Sequence, residues 1–226
     1  MKYKNLLLDI DDTLFDFAAC EREAIKKTFD VLSIPCSDKI LGEYHEINRE
    51  MWHALERGEY DRLQIRTLRF EILFSRLGIR ADADEVNALY GEMLSREHIL
   101  LPGARSFLRA AHKKYRLYVI TNGITEVQQR RLDDADLRGF FSGVFISEQI
   151  GYNKPDRRFF DTVIDRAGLG REDCIVFGDS PTSDIAGARG AGIDCCLFAP
   201  KGAWDGDICP VAHTYGEFLS YLEEKC

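Results

Sequence analysis

Residues 5–13, NLLLDIDDT, carry the clearest indication of how this chain folds. It opens on a short apolar run with the length and composition of a strand buried on both faces of a sheet, and Asp9 interrupts that run. Residues two apart in an extended segment share a face, so Asp9 and Asp11 can converge only where the strand ends and becomes a loop. Two carboxylates this close need a cation or a shared proton beside them. Oxygen ligands favour Mg²⁺ over zinc, so the stretch predicts a strand that ends at a magnesium site.

Four more apolar runs of strand length follow along the chain, at residues 117–121, 144–147, 174–177 and 195–199. Stretches with helical spacing lie between them, at residues 125–135, 158–167 and 183–189. Thr125 with Gln128 also predicts a capping box at the start of the first of these helices. Alternating strands and helices predict an α/β fold, with a Rossmann-like parallel sheet covered by helices on both faces.

Residues 16–98 have a different pattern, because their apolar side chains recur at helical spacing instead of in short runs. One such series is Leu41, Tyr44, Ile47, Met51 and Leu55. This spacing predicts a helical bundle inserted after the first strand. The sheet domain then comprises residues 1–15 and 99–226, and the helical cap domain comprises residues 16–98.

The composition narrows the classes of protein to consider. The 226 residues are 45% hydrophobic, and 38 Asp and Glu against 30 Lys and Arg give a net charge of −8. This acidic balance argues against a nucleic-acid polymer as partner, because such binding depends on clustered Lys and Arg. No apolar run approaches the roughly 18 residues that a membrane span needs. Seven cysteines without metal-binding spacing indicate reduced thiols and a cytoplasmic protein. The oligomeric state stays open.

Polar residues follow three of the other predicted elements, where the ligands of an open parallel sheet bind. Thr121-Asn122-Gly123 offers a hydroxyl and backbone N–H groups that can hold phosphate oxygens. Lys154 offers an ammonium group. Asp179 follows a strand and can complete a metal site, which Asp184 then supports from outside the ligand shell. Each cluster alone is also typical of turns and helix caps. Together with Asp9 and Asp11, in this order, they indicate one site.

These four clusters resemble the motifs of the haloacid dehalogenase (HAD) superfamily. D-x-D-x-T stands at residues 9–13, T-N at 121–122, K-P at 154–155 and G-D-x-x-x-x-D at 178–184. The resemblance covers the whole chain, since the helical insertion between the first two motifs is similar to the C1 cap of that superfamily. It implies the HAD fold and Mg²⁺-dependent hydrolysis of a small phosphorylated metabolite through an aspartyl phosphate.

The resemblance also implies a role for each motif residue. Asp9 would be the nucleophile, and Asp11 the general acid and base. Thr121 and the backbone of Asn122 would bind the transferring phosphoryl group, and Lys154 would stabilise Asp9 and the phosphoryl charge.

The same resemblance implies the metal ligands. Mg²⁺ would bind Asp9, the carbonyl oxygen of Asp11 and Asp179, with Asp184 behind them. The implied positions of Mg²⁺ and Lys154 agree with elementary electrostatics. A carboxylate and a phosphate dianion repel one another until cations compensate their charges.

Residues 120–132 and 145–151 resemble the pyrimidine 5'-nucleotidases, which dephosphorylate nucleoside monophosphates. An ordinary solvated helix face is the competing interpretation of Gln128, Gln129 and Arg130. A sugar phosphatase, or an enzyme similar to phosphoglycolate phosphatase or β-phosphoglucomutase, is the main alternative. Asp11 argues against a 2-haloacid dehalogenase, which carries an aromatic residue there. The chain length and the insertion argue against a non-catalytic phospho-acceptor receiver module.

Overall fold

The computed structural model describes residues 2–200, 202 and 209–225. Within these residues, six strands form one parallel sheet in the order β3-β2-β1-β4-β5-β6. The strands are β1 (Asn5–Leu8), β2 (Arg116–Thr121), β3 (Phe141–Ile146), β4 (Cys174–Gly178), β5 (Asp194–Phe198) and β6 (Val211–Ala212). The predicted Rossmann-like parallel sheet is therefore confirmed.

The chain divides into two compact units, Met1–Asp16 with Leu100–Cys226, and Phe17–Ile99. The helices of the first unit are α5 (Ala104–Ala111), α6 (Thr125–Asp134), α7 (Ser147–Ile150), α8 (Arg157–Ala167), α9 (Ala186–Gly190) and α10 (Tyr215–Glu224). A π-helical turn, Pro181–Ile185, leads into α9. The helices of the second unit are α1 (Phe17–Val31), α2 (Asp38–Glu56), α3 (Arg62–Leu77) and α4 (Ala83–Ser95).

β1 lies between β2 and β4 in the middle of the sheet, and every residue of this strand is buried. Its apolar sequence, with three consecutive leucines, suits this position. Alternate side chains of a strand point to opposite faces. Leu6 and Leu8 accordingly pack into one hydrophobic core with the aromatic rings of Phe177 and Phe218, which stack with centroids 3.9 Å apart. Leu7 packs into a second core on the other face of the sheet. Both faces of β1 are thus covered, as in other parallel sheets.

Three local predictions need correction. β3 is the outermost strand on its side of the sheet, so most of its residues are partly exposed and not buried on both faces. β6 was missed because it has only two residues. The predicted helix 183–189 begins as a π-helical turn, in which the backbone N–H groups of Asp184 and Ile185 both reach the carbonyl oxygen of Ser180.

The second unit contains four helices, α1 to α4, and its interior is partly polar. Tyr44, Phe70 and Tyr90 pack their rings together with centroids 5.1 to 5.7 Å apart. Beside them the buried guanidinium group of Arg69 donates a hydrogen bond of 2.7 Å to Asn48. A buried guanidinium group needs hydrogen-bond partners, and Asn48 supplies one of them.

Two predictions from composition can be compared with the described residues. Within the described residues, no disulfide bond involves Cys20, Cys36, Cys174, Cys195, Cys196 or Cys209. Cys226 lies outside the described residues. Of the helices in the described ranges, none has the length and apolar character required to cross a membrane.

Candidate active site

The strand order places the predicted site at one edge of the sheet. Chain connectivity runs outward from β1 through β2 and β3 on one side and through β4 and β5 on the other. Such a reversal leaves a crevice at the carboxyl ends of the central strands, where α/β proteins bind ligands. Asp9 follows β1, Thr121 ends β2 and Asp179 follows β4, so all three residues belong to this edge.

A buried acidic cluster lies at this edge. Carboxylate oxygens of Asp9, Asp179 and Asp184 all lie within 4.8 Å of one another. The ammonium group of Lys154 donates hydrogen bonds of 2.6 Å to Asp9 Oδ1 and 2.6 Å to Asp184 Oδ1, and one of 3.1 Å to the carbonyl oxygen of Ile120. Lys154 therefore joins two of the three carboxylates.

The ammonium group of Lys154 does not fully compensate the negative charge of the three carboxylates. Burial and the neighbouring carboxylates Asp184 and Asp11 raise the pKa of Asp9 to about 8, although Lys154 opposes this shift. Burial and the charges of Asp9 and Asp184 raise the pKa of Asp179 well above its usual range. Burial lowers the pKa of Lys154, but the charges of Asp184 and Asp9 outweigh it, so its pKa is raised. A hard divalent cation fits this set of oxygen donors and unbalanced negative charges.

Hydrogen bonds from neighbouring residues hold the side chains of the acidic cluster and Lys154 in place. The Asn122 side chain donates to the carbonyl oxygen of Lys154 at 2.9 Å and accepts from the Lys154 N–H at 2.8 Å, next to a cis Lys154–Pro155 peptide bond. Thr13 Oγ1 donates to Asp179 Oδ1 at 3.0 Å, and the Ser180 N–H donates to Asp184 Oδ2 at 3.1 Å. Asn122 is thus tied to Lys154 through its side chain.

The Thr121 hydroxyl is oriented by its own neighbours. Its oxygen accepts hydrogen bonds from the Gly123 N–H at 3.0 Å and from Gln128 Nε2 at 3.2 Å. Because both of these bonds are accepted by the oxygen, the hydroxyl proton can be donated to an anionic oxygen of a ligand.

Asp11 has different partners from those of the acidic cluster. Arg131 Nη1 donates to Asp11 Oδ1 at 2.6 Å, and Gln128 Nε2 donates to Asp11 Oδ2 at 2.6 Å. Sequence reasoning missed Arg131, whose side chain is 0% exposed. The solvated-face interpretation is wrong for Gln128, which is 1% exposed. Gln129 is half-buried, and Arg130, two residues after Gln128, has a side chain that is 45% exposed. The spacing of three residues between Gln128 and Arg131 is the signal that could have placed both on one face of α6.

The predicted Thr125–Gln128 capping box is also wrong. Ile124 is the N-cap residue of α6 and provides no side-chain hydrogen bond, while the N–H of Thr125 donates to Glu148 Oε2 at 2.7 Å. The Gln128 side chain contacts Asp11 and Thr121 instead of capping the helix.

Gly178 leaves the space that Asp184 needs. A Cβ atom added at Gly178 would lie 2.3 Å from Asp184 Oδ2 and 2.4 Å from Asp184 Cγ. We expect Gly178→Ala to displace Asp184 from Lys154 and to lower the free energy of unfolding by about 1–3 kcal/mol. Urea unfolding of the variant tests this.

Gly190→Ala is the matched control, because a Cβ atom there meets nothing within 4 Å. Its free energy of unfolding should equal or exceed that of the unsubstituted protein. Equal stability of Gly178→Ala and the unsubstituted protein would contradict the close packing of Gly178 against Asp184.

A family model for haloacid dehalogenase-like hydrolases matches residues 3–192. The chain therefore belongs to the haloacid dehalogenase-like hydrolase family, as its four motifs indicated. The protein is therefore an enzyme of the hydrolase class.

Several relatives are similar to this chain over most of its length. HAD-hydrolase YfnB of Bacillus subtilis is 34% identical, with 88% of this chain and 85% of the relative covered. A solved structure of YfnB bound to magnesium has a TM-score of 0.92 at 32% identity, covering 98% of this chain and 99% of the other.

Two further relatives carry the name pyrimidine 5'-nucleotidase. PynA of Streptococcus pneumoniae is 35% identical, with 88% of this chain and 85% of the relative covered. YjjG of Escherichia coli is 30% identical, with 87% of this chain and 86% of the relative covered. The protein is thus a HAD-family phosphatase related to pyrimidine 5'-nucleotidases.

Proposed function

We propose that the protein hydrolyses small phosphate monoesters with Mg²⁺, through an aspartyl phosphate on Asp9, and that its substrates are pyrimidine nucleoside monophosphates. The observation that carries this proposal is the contact of Lys154 Nζ with Asp9 Oδ1 beside two further carboxylates. A buried ammonium group at that place stabilises Asp9 as a carboxylate and attracts the anionic phosphoryl group towards it.

In the first step, a carboxylate oxygen of Asp9 attacks the phosphorus atom. A bond forms between that oxygen and phosphorus, and the bond between phosphorus and the leaving oxygen breaks. Asp11 gives its proton to the leaving oxygen, so the product departs as an alcohol. The Thr121 hydroxyl and the Asn122 N–H bind the oxygens of the transferring group.

In the second step, water replaces the alcohol. Asp11, now ionised, takes a proton from the water molecule while the water oxygen attacks the phosphorus atom. The bond between phosphorus and Asp9 breaks, which releases inorganic phosphate and restores the Asp9 carboxylate. Asp11 is protonated again, so the cycle closes without another reactant.

The residues present fit a magnesium ion. Asp9 and Asp179 would bind it through carboxylate oxygens and Asp11 through its carbonyl oxygen, with Asp184 holding Lys154 beside them. When bound, the ion compensates the negative charges of the carboxylates and the phosphoryl group. The magnesium-bound structure of the similar YfnB supports this choice of metal.

The substrate class is supported by the two relatives named pyrimidine 5'-nucleotidase, at 35% and 30% identity. It is also supported by the resemblance of residues 120–132, which form the end of β2 and most of α6. The main alternative, a sugar phosphatase, shares the same site at the strand ends, so a direct comparison of substrates decides between them.

Phosphate release tests the proposal. The protein with Mg²⁺ should release phosphate from p-nitrophenyl phosphate, and removal of the metal by a chelator should stop this until Mg²⁺ is restored. Among UMP, dUMP, dTMP, purine nucleotides and sugar phosphates, the highest kcat/KM is expected for a pyrimidine nucleotide. A higher kcat/KM for a sugar phosphate would contradict the substrate class, and no release from any ester would contradict the phosphatase activity.

A further inference from the structure

We propose that Arg131 and Gln128 are positioning residues that hold Asp11 for proton transfer. The inference rests on the proposed function, because it concerns the residue proposed there as acid and base.

Each oxygen of the Asp11 carboxylate accepts a hydrogen bond from a different side chain. Arg131 Nη1 binds Oδ1 and Gln128 Nε2 binds Oδ2, each at 2.6 Å. Arg131 Nη1 also donates to Gln128 Oε1 at 3.0 Å, so the two positioning residues fix one another. A carboxylate bound at each oxygen by a different side chain keeps one orientation.

The same arrangement ties Asp11 to the proposed phosphoryl-binding hydroxyl. Gln128 Nε2 lies 3.2 Å from Thr121 Oγ1 as well as 2.6 Å from Asp11 Oδ2. One amide group therefore sets the distance between the proton donor and the group proposed to bind phosphate. Gly123 makes room for it, because a Cβ atom there would lie 2.3 Å from Gln128 Nε2.

The burial of Arg131 shows how specific this arrangement is. Its side chain is 0% exposed, and its guanidinium group lies 4.4 Å from the centroid of the buried Phe15 ring. Removing an arginine from water is costly unless excellent partners compensate it. Asp11, in contrast, keeps 27% of its side chain exposed, so it can reach a ligand while its orientation is fixed from the buried side.

Leaving-group dependence distinguishes positioning from a structural role. The constant kcat/KM reports the steps up to departure of the leaving group, where an alkoxide needs a proton from Asp11 and p-nitrophenolate does not. Arg131→Met should therefore lower kcat/KM by about 10²-fold for the alkyl phosphate that the unsubstituted protein hydrolyses best. For p-nitrophenyl phosphate the loss should be much smaller.

Four further variants complete the experiment. Gln128→Met should shift the ratio of the two kcat/KM values in the same direction, and it keeps the proposal testable if Arg131→Met does not fold. Arg130→Met, on the exposed neighbouring position of α6, should leave the ratio unchanged. In Asp11→Asn, adding Arg131→Met should cause no further loss, because the residue through which Arg131 acts is already altered.

Equal losses of kcat/KM for both esters, or a further loss in the Asp11→Asn background, would overturn the inference and leave Arg131 with a structural role only. Failure of the proposed function looks different, since the unsubstituted protein would then hydrolyse neither ester.

Discussion

Asp9→Asn is expected to abolish phosphate release. The amide cannot form the proposed bond to phosphorus, and removal of a nucleophile in a serine protease lowers kcat by a factor on the order of 10⁶. The substitution preserves the size of a buried side chain that accepts from Lys154. Burial and the neighbouring carboxylates raise the pKa of Asp9, so its surroundings also accommodate a neutral amide of the same size.

Phosphate release from p-nitrophenyl phosphate and from the best nucleotide measures this loss. Asp173→Asn is the matched control, since Asp173 precedes β4 at the opposite edge of the sheet and pairs there with Lys4 at 3.0 Å. The control should keep full activity. Substantial turnover by Asp9→Asn with an intact fold would place the nucleophile elsewhere.

Asp11→Asn is expected to lower kcat by about 10²–10⁴-fold for an alkyl phosphate, because the amide neither gives nor takes the proton.

With p-nitrophenyl phosphate, the same variant should carry out phosphoryl transfer to Asp9 much faster than hydrolysis of the aspartyl phosphate. The leaving group departs without a proton, whereas hydrolysis of the aspartyl phosphate still needs the missing base. Rapid mixing should therefore show a burst of about one p-nitrophenolate per protein, followed by slow turnover. Absence of a burst, with kcat lowered equally for both esters, would contradict the assignment of Asp11 to both proton transfers.

Much of the fold could be predicted because the decisive signals are local in sequence. Leu6, Leu7 and Leu8 are long enough for a strand and too apolar for an exposed one, which indicates a central position in the sheet. The polar residues at the ends of β1, β2 and β4 then meet at one edge, whatever the exact bounds of the strands. The contact between Lys154 and Asp9, across 145 positions of the chain, agrees with this reasoning.

The partners of Asp11 could not be predicted in the same way. Gln128 stands three residues after Thr125, which fits a capping box, and local spacing does not reveal that a carboxylate 117 positions away accepts from the same amide. Helical periodicity places Arg131 on the face of Gln128 but does not say what that face contacts. An arginine at such a position is usually solvated, so its complete burial is a result of tertiary structure.

The contacts of Asp184 also could not be predicted from the sequence. Its spacing from Asp179 indicates a supporting role, but the π-helical turn and the absence of a side chain at Gly178 bring its carboxylate into the acidic cluster and onto Lys154. These details depend on backbone geometry within one turn, and the same residue types in a regular helix would point elsewhere.

The proposed reaction passes through an aspartyl phosphate on Asp9, which can be trapped and located in the chain. Asp11→Asn mixed with p-nitrophenyl phosphate and Mg²⁺, quenched in acid during the burst and digested, should yield a peptide carrying one phosphoryl group on Asp9. The double variant Asp9→Asn with Asp11→Asn should yield none. A phosphoryl group on another residue, or turnover without any phosphorylated peptide, would contradict the proposed function.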